Sequence, residues 1–135
     1  MAGVTLHRVN PASLVAPSGF SHAVSATGGR IVFLAGQAAT DPDGTIVGAG
    51  VVAQFERALA NLLVALSEAG GGPEHLAKLT VYATDPADYR SHAGELGEVW
   101  RRLVGREYPA MALVGIVRLW DTAAVVELDG IAVLP

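Results

Sequence analysis

The sequence predicts an α+β domain in which two helices pack on one face of a sheet. Two stretches of the 135-residue chain repeat apolar residues at three- and four-residue steps, the stripe of an amphipathic helix. Around them lie short segments rich in β-branched and aromatic residues, which read as about six strands. A 51% hydrophobic share with 16% charged residues excludes a disordered chain. No linker, repeat or low-complexity tract interrupts it, so residues 1–135 read as one domain.

The elements follow in order. Thr5 to Val9 and Ser21 to Ala26 read as short strands, with Gly28-Gly29 supplying the positive-φ residues of a tight hairpin into the next strand. That strand, Arg30 to Ala35, carries the apolar run of a buried strand. Asp41-Pro42-Asp43-Gly44 is a turn, because Pro presets φ and Gly tolerates the left-handed region. Val51 to Ala69 reads as a helix with its stripe on Val51, Val52, Phe55, Leu59, Leu62, Leu63 and Leu66. Gly70-Gly71-Gly72-Pro73 stops it, and Leu76 to Thr84 is a strand. Asp85 can cap the second helix, Pro86 suits its first position, and Tyr89, Ala93, Leu96, Trp100 and Leu103 form its stripe. Met111 to Val117 and Ala124 to Leu134 close the domain as strands.

The faces of these strands predict self-association. In Ile31-Val32-Phe33-Leu34 and in Met111-Ala112-Leu113-Val114 both alternating sets of side chains are apolar. Two helices cover one face only. A wet second face would exceed the few hundred Å² of apolar patch a monomer usually tolerates, so burial against sister subunits is the expected outcome.

Composition narrows the chemistry. The absence of cysteine excludes disulfides, thiolate catalysis and Cys-based zinc sites. The net charge of −4 and a single lysine, Lys78, argue against a nucleic-acid partner; the cluster Arg101, Arg102 and Arg106 reads as a solvated helix end. His7, His75 and His92 have no metal-ligand spacing, so neither a metal nor another cofactor is expected. No apolar run approaches the roughly 18 residues of a membrane span, and the N-terminus lacks a leader pattern. The expectation is a cytoplasmic protein with no membrane partner.

A set of short motifs in fixed order resembles the Rid family, also called YjgF or RidA-like. Gly19-Phe20-Ser21-His22-Ala23-Val24 is similar to its glycine-led first segment, and Val32 to Gln37 to its Ser-Gly-Gln strand. Gln54, Asn61 and Glu68-Ala69-Gly70 resemble its first helix. Lys78 to Tyr82 with Asp85 and Asp88-Tyr89 resemble its central strand and second helix start. Pro109-Ala110, Arg118-Leu119 and Glu127 to Ala132 resemble its closing strands. The resemblance implies a chorismate-mutase-like fold and a homotrimer with three clefts between subunits. It also implies hydrolysis of enamines and imines derived from amino acids, to keto acids and ammonia. In that chemistry an arginine after Pro-Ala grips the substrate carboxylate, and a glutamate on the last strand positions or activates water.

Here Met111 stands at the arginine position, Ala35 at the serine, Phe20 at the tyrosine and Ala93 at the asparagine, while Glu127 and the Gly36 backbone remain. Methionine cannot hold a carboxylate, and losing such a charged hydrogen bond costs about 1.5–3 kcal/mol. Ordinary 2-iminoacid deamination is therefore not expected. Glu127 is the candidate catalytic residue; Phe20, Ala35, Gly36, Trp100, Met111 and Leu113 are candidates to line an apolar intersubunit cleft for a neutral small-molecule ligand. Each has a plainer reading: Glu127 as a structural ion pair with Arg118, and the large apolar side chains as core, the reading preferred for Phe33. His22 and Asp129 read as surface and rim positions beside the cleft. A non-enzymatic ligand-binding or interaction protein is the alternative. A ribonuclease would need a basic groove that the composition does not offer.

Overall fold

The computed structural model describes residues 5–135; the part of the leader reading that rests on Met1 to Val4 lies outside them. The strands are β1 (Thr5–Val9), β2 (Ala23–Thr27), β3 (Arg30–Gln37), β4 (Leu76–Ala83), β5 (Ala110–Gly115) and β6 (Val126–Leu134). The helices are α1 (Gly50–Glu68), α2 (Pro86–Ser91) and α3 (Ala93–Leu103), with a 3-10 turn at Pro73–His75. Four strands form one sheet in the order β3-β6-β4-β5. Its β4–β5 pair is parallel and the others antiparallel. A parallel pair needs a long crossover, which α2 and α3 supply. β1 and β2 form a separate antiparallel ribbon.

The helix period and the strand period meet in one core. α1 buries Val51, Phe55, Ala58, Leu59, Leu62 and Leu66. The sheet answers with Leu34, Leu79, Val81, Val126, Leu128, Ala132 and Leu134, and α3 adds Leu96, Val99 and Trp100. Each such leucine or valine stabilises the fold by about 1.5–3 kcal/mol relative to exposure. By length and composition the 19-residue α1 is long and apolar enough to cross a membrane, although charged and polar residues interrupt its apolar run; in this fold it is the core helix. It ends as expected. Gly70 takes φ +96°, its N–H donates to the Ser67 carbonyl at 3.0 Å, and the Gly71 N–H donates to Leu66 at 2.9 Å, closing the last turn in a Schellman motif.

Three expectations are corrected. First, the second helix is two helices. It begins as predicted, with Asp85 Oδ1 accepting the Asp88 N–H at 3.1 Å and Pro86 at the first position. It breaks at His92, which has φ −104° and ψ 20°. The Asp88 carbonyl accepts from Ser91 Oγ and from His92 Nδ1, both at 2.8 Å, and the His92 N–H turns back to Tyr89. Side-chain donors thus compete with the helical ladder.

Second, Gly28-Gly29 makes no hairpin. β2 pairs with β1, β3 pairs with β6, and neither glycine has a positive φ. The flanking strands belong to different sheets, so the chain crosses between them instead of reversing. Gly29 is small for another reason: its N–H donates to Leu134 at 2.9 Å, and a Cβ would lie 3.0 Å from the Pro135 carbonyl carbon.

Third, the face away from the helices is not uniformly apolar. Phe33, expected in the core, is 76% exposed there, and Ile31 is 63% exposed. Strand register sets Ile131 and Val133 beside them. Toward the middle of the sheet, however, Lys78, Thr80 and Tyr82 of β4 pair with Ile131, Asp129 and Glu127 of β6. The face is oily along β3 and polar at its centre.

Candidate functional site

Glu127 sits near the start of β6, half-buried on that open face. A bulge shapes the ground beside it. Leu34 pairs with Gly130 and Gln37 with Leu128, so β3 carries one extra residue across Ala35-Gly36. Both bulged residues are exposed, and a Cβ on Gly36 would lie 2.7 Å from Glu127 Oε2. The carboxylate therefore rests against bare backbone. On the other side its neighbour is Tyr82, whose hydroxyl donates to Asp129 Oδ2 at 3.1 Å. Burial raises the pKa of Glu127, and the Asp129 charge raises it further. Tyr82 is raised too, first by its bond to Asp129.

No cation or donor among the described residues pairs with Glu127. The suggested partner, Arg118, donates instead to the carbonyls of Leu119 and Trp120, each at 3.2 Å. Glu127 lines a pocket with Gly36, Thr40, Ile46, Trp120 and Asp121. Two side chains from α1 hold its rims. Asn61 Nδ2 donates to the carbonyls of Ala38 at 3.1 Å and Thr40 at 2.9 Å. Buried Gln54 donates to Gly48 at 3.2 Å and Ala123 at 3.1 Å, and accepts from the Val125 N–H at 2.9 Å.

The apolar candidates lie elsewhere. Met111 and Leu113 of β5 pair with Leu79 and Val81 and so face the helices. With Phe20, Ser18, Gly19 and Tyr89 they line a groove along the free edge of β5. The long β1–β2 loop reaches that edge because Ser21 is tied down: its N–H donates to Pro109 at 3.0 Å and its hydroxyl to Tyr108 at 2.8 Å. Trp100 is 2% exposed, stacked 5.0 Å from Tyr108, with its indole N–H donating to Glu107 at 3.0 Å. Within the chain it is a core residue behind the groove. His22 donates from Nε2 to Val15 at 2.7 Å, edge-on to Phe20.

The predicted residues thus fall into two half-sites on opposite faces of the sheet. Ala35, Gly36 and Glu127 make one; Phe20, Met111 and Leu113 make the other, backed by Trp100. Sequence reasoning missed Trp120, 95% exposed over the Glu127 pocket, and read Tyr89 as part of a helix stripe and of the second helix start, not as a site residue. A large aromatic residue in the connection between the last two strands was the available signal for the first. Among the described residues no three His, Asp or Glu side chains come together as metal ligands would. Two members of the arginine cluster are paired, Arg101 with Glu98 and Arg102 with Glu56, and Arg8 pairs with Glu107.

The fold has known counterparts. The chain matches the family described as endoribonuclease L-PSP over residues 11–134. It belongs to the Rid family. A RutC family protein of Synechocystis is 36% identical over 135 residues, covering 98% of this chain and 99% of that protein. The 2-iminobutanoate/2-iminopropanoate deaminase of Mus musculus is 31% identical over 105 residues, covering 77% of this chain and 74% of that enzyme. Among solved structures, a Rid-family protein of unknown function from Yersinia pestis superposes with a TM-score of 0.83 at 29% identity, covering 96% of this chain and 98% of that one. The Rid family thus includes imine deaminases, and the mixed sheet with its helices on one face is the Rid fold.

Proposed function

We propose that this Rid-family chain is a homotrimeric hydrolase of neutral imines or enamines, working in a cleft between subunits with Glu127 as its acid and base. The observation that carries this reading is Glu127 itself. It is a half-buried carboxylate with a raised pKa, unpaired among the described residues, lying against the Gly36 backbone. A carboxylate so placed loses solvation without gaining a partner, a cost with no structural return. A raised pKa brings it closer to the range in which it can both take and give a proton.

The step balances with water alone. The Glu127 carboxylate takes a proton from water as the oxygen bonds the C=N carbon, and the π pair moves to nitrogen. Glu127 hands that proton to nitrogen, giving the amino alcohol; it then takes the hydroxyl proton as the carbon–oxygen double bond forms and delivers it to nitrogen as the carbon–nitrogen bond breaks and ammonia or amine leaves. Glu127 ends as the carboxylate it began as. An enamine enters the same path after protonation at carbon.

Two features support an intersubunit cleft. The half-sites cannot meet within one chain, because they lie on opposite faces with β4 between β6 and β5. The oily strip along Ile31 and Phe33 calls for a cover, and sister copies laid on it could bring one chain's β5 groove to the next chain's Glu127. Met111 in that groove gives an imino-acid carboxylate nothing to bind. The test is hydrolysis of benzophenone imine against 2-iminopropanoate. Benzophenone imine turnover that Glu127→Gln abolishes is expected, with no acceleration of ammonia release from 2-iminopropanoate. Rapid turnover of 2-iminopropanoate would overturn the reading.

The apolar groove favours a second reading, a binding protein without catalysis. It expects Glu127→Ala to leave function intact while Met111→Arg disturbs binding. A nuclease is not favoured, since the chain carries a net charge of −4 and Arg8, Arg101 and Arg102 are paired with carboxylates.

A further inference from the structure

Tyr89 stands out within the β5-edge groove. Its ring is fixed by an edge-on contact with Phe55 at 6.0 Å and 72°. Its hydroxyl has no hydrogen-bond partner among the described residues. It is not sealed in either, because no fully buried side-chain oxygen or nitrogen is left without a partner. The phenol is therefore open to the β5-edge groove and the adjoining α3 pocket, both of which Tyr89 lines. Around it lie Phe20, Val81, Met111 and Leu113, with Ser18 from the β1–β2 loop; on the α3 side the charged residues that share its surroundings, Glu98 and Arg101, pair with each other. Burial, and secondly Tyr108, push the Tyr89 pKa up to about 12. At neutral pH the group is an uncharged donor.

We propose that Tyr89 determines substrate specificity: its hydroxyl donates to the single acceptor of a neutral aromatic ketone, ketimine or related ligand whose ring lies on Phe20, Met111 and Leu113. This rests on, and narrows, the reading of the cleft given above. A neutral acceptor satisfies the phenol and loses little solvation. A carboxylate would leave water for apolar walls whose neighbouring cation, Arg101, is already paired with Glu98, a larger penalty. Apolar walls with one or two placed polar groups are the usual make-up of a small-molecule pocket. The conservative change keeps the packing, since phenylalanine retains the ring against Phe55.

Binding separates this inference from catalysis. Acetophenone, toluene and benzoate are titrated into the intact protein and into Tyr89→Phe, with Kd read by NMR. The expected result is that Tyr89→Phe weakens acetophenone by about three- to tenfold, the worth of one neutral hydrogen bond, and leaves toluene unchanged. Wild type should prefer acetophenone to benzoate by about tenfold or more, and Met111→Arg should shift that preference toward benzoate. Equal acetophenone affinity in the two proteins, no acetophenone binding at all, or a wild-type preference for benzoate would each overturn the proposal. Tyr89-dependent binding without benzophenone imine hydrolysis would leave it standing and remove the catalytic reading. Imine hydrolysis indifferent to Tyr89→Phe would do the reverse.

Discussion

Gly36→Ala is the sharpest probe of the Glu127 position. The new methyl carbon would lie 2.7 Å from Oε2 and 2.9 Å from Cδ, where ordinary contact begins at 3.4 Å. The carboxylate must therefore retreat by about 0.7 Å, the shortfall between 2.7 and 3.4 Å. Little else has to move, because Gly36 has no positive φ and the clash is with the free end of a flexible side chain. Stability should change by no more than about 0.5 kcal/mol, as for a substitution away from the core. Catalysis is less forgiving, since misplacement by about 1 Å can cost a factor of about 100. The expected outcome in the benzophenone imine assay is a fall in kcat of about 10- to 100-fold with Tm shifted by only about 1–2 °C. A Gly36→Ala protein with wild-type kcat, and Glu127 shown displaced by its structure, would refute the role given to that carboxylate. A large loss of Tm would instead refute the statement that the clash is local.

The raised pKa of Glu127 fixes a sign for stability against pH. The folded chain holds this proton more tightly than the unfolded chain, so a penalty on folding appears as pH rises through the shifted value and is absent below the unfolded one. Glu127→Gln should raise Tm near pH 7 and leave it unchanged near pH 3; scanning calorimetry showing a loss near pH 7 would mean the carboxylate has a stabilising partner. Phe33→Asp should convert the protein to monomer in sedimentation velocity. With 76% of the ring exposed and about 200 Å² per phenylalanine, covering it is worth up to about 3–4 kcal/mol per copy. An unchanged sedimentation coefficient would remove the intersubunit cleft. Gln54→Ala strips partners from the Gly48 and Ala123 carbonyls and the Val125 N–H, and should cost about 2–5 kcal/mol in urea unfolding.

What the sequence made legible was whatever depends on neighbours along the chain. The α1 stripe, its glycine stop, the Asp85-Pro86 start and the alternation of β6 all follow from local spacing, and all appear in the structure. Pairing partners were not local. Gly28-Gly29 reads as a hairpin in any chain; only the distant β6 and β1 strands, which claim its flanks, decide otherwise. Phe33 has the composition of a core residue, and nothing in an apolar run tells which of its two faces the helices cover. His92 broke a helix because Ser91 and His92 both reached one carbonyl, a competition the stripe does not register. The site divided in the same way. Glu127 was legible as a carboxylate in an apolar strand, and Gly36 as a candidate cleft residue by resemblance; that Gly36 lies against Glu127 came from the structure. That Met111 and Leu113 face away from Glu127 emerged only from the β4–β5 register, and Tyr89 was concealed by its place in a regular stripe.

Gln54 and Asn61 grip the rims of the Glu127 pocket by main-chain atoms only at Ala38, Gly48, Ala123 and Val125, and chiefly so at Thr40. An anchor that ignores side-chain identity leaves the clasped loops free to exchange residues without shifting course. Trp120 and Ile46 could thus be replaced over generations to suit a different guest molecule, while the helix behind keeps the frame in register.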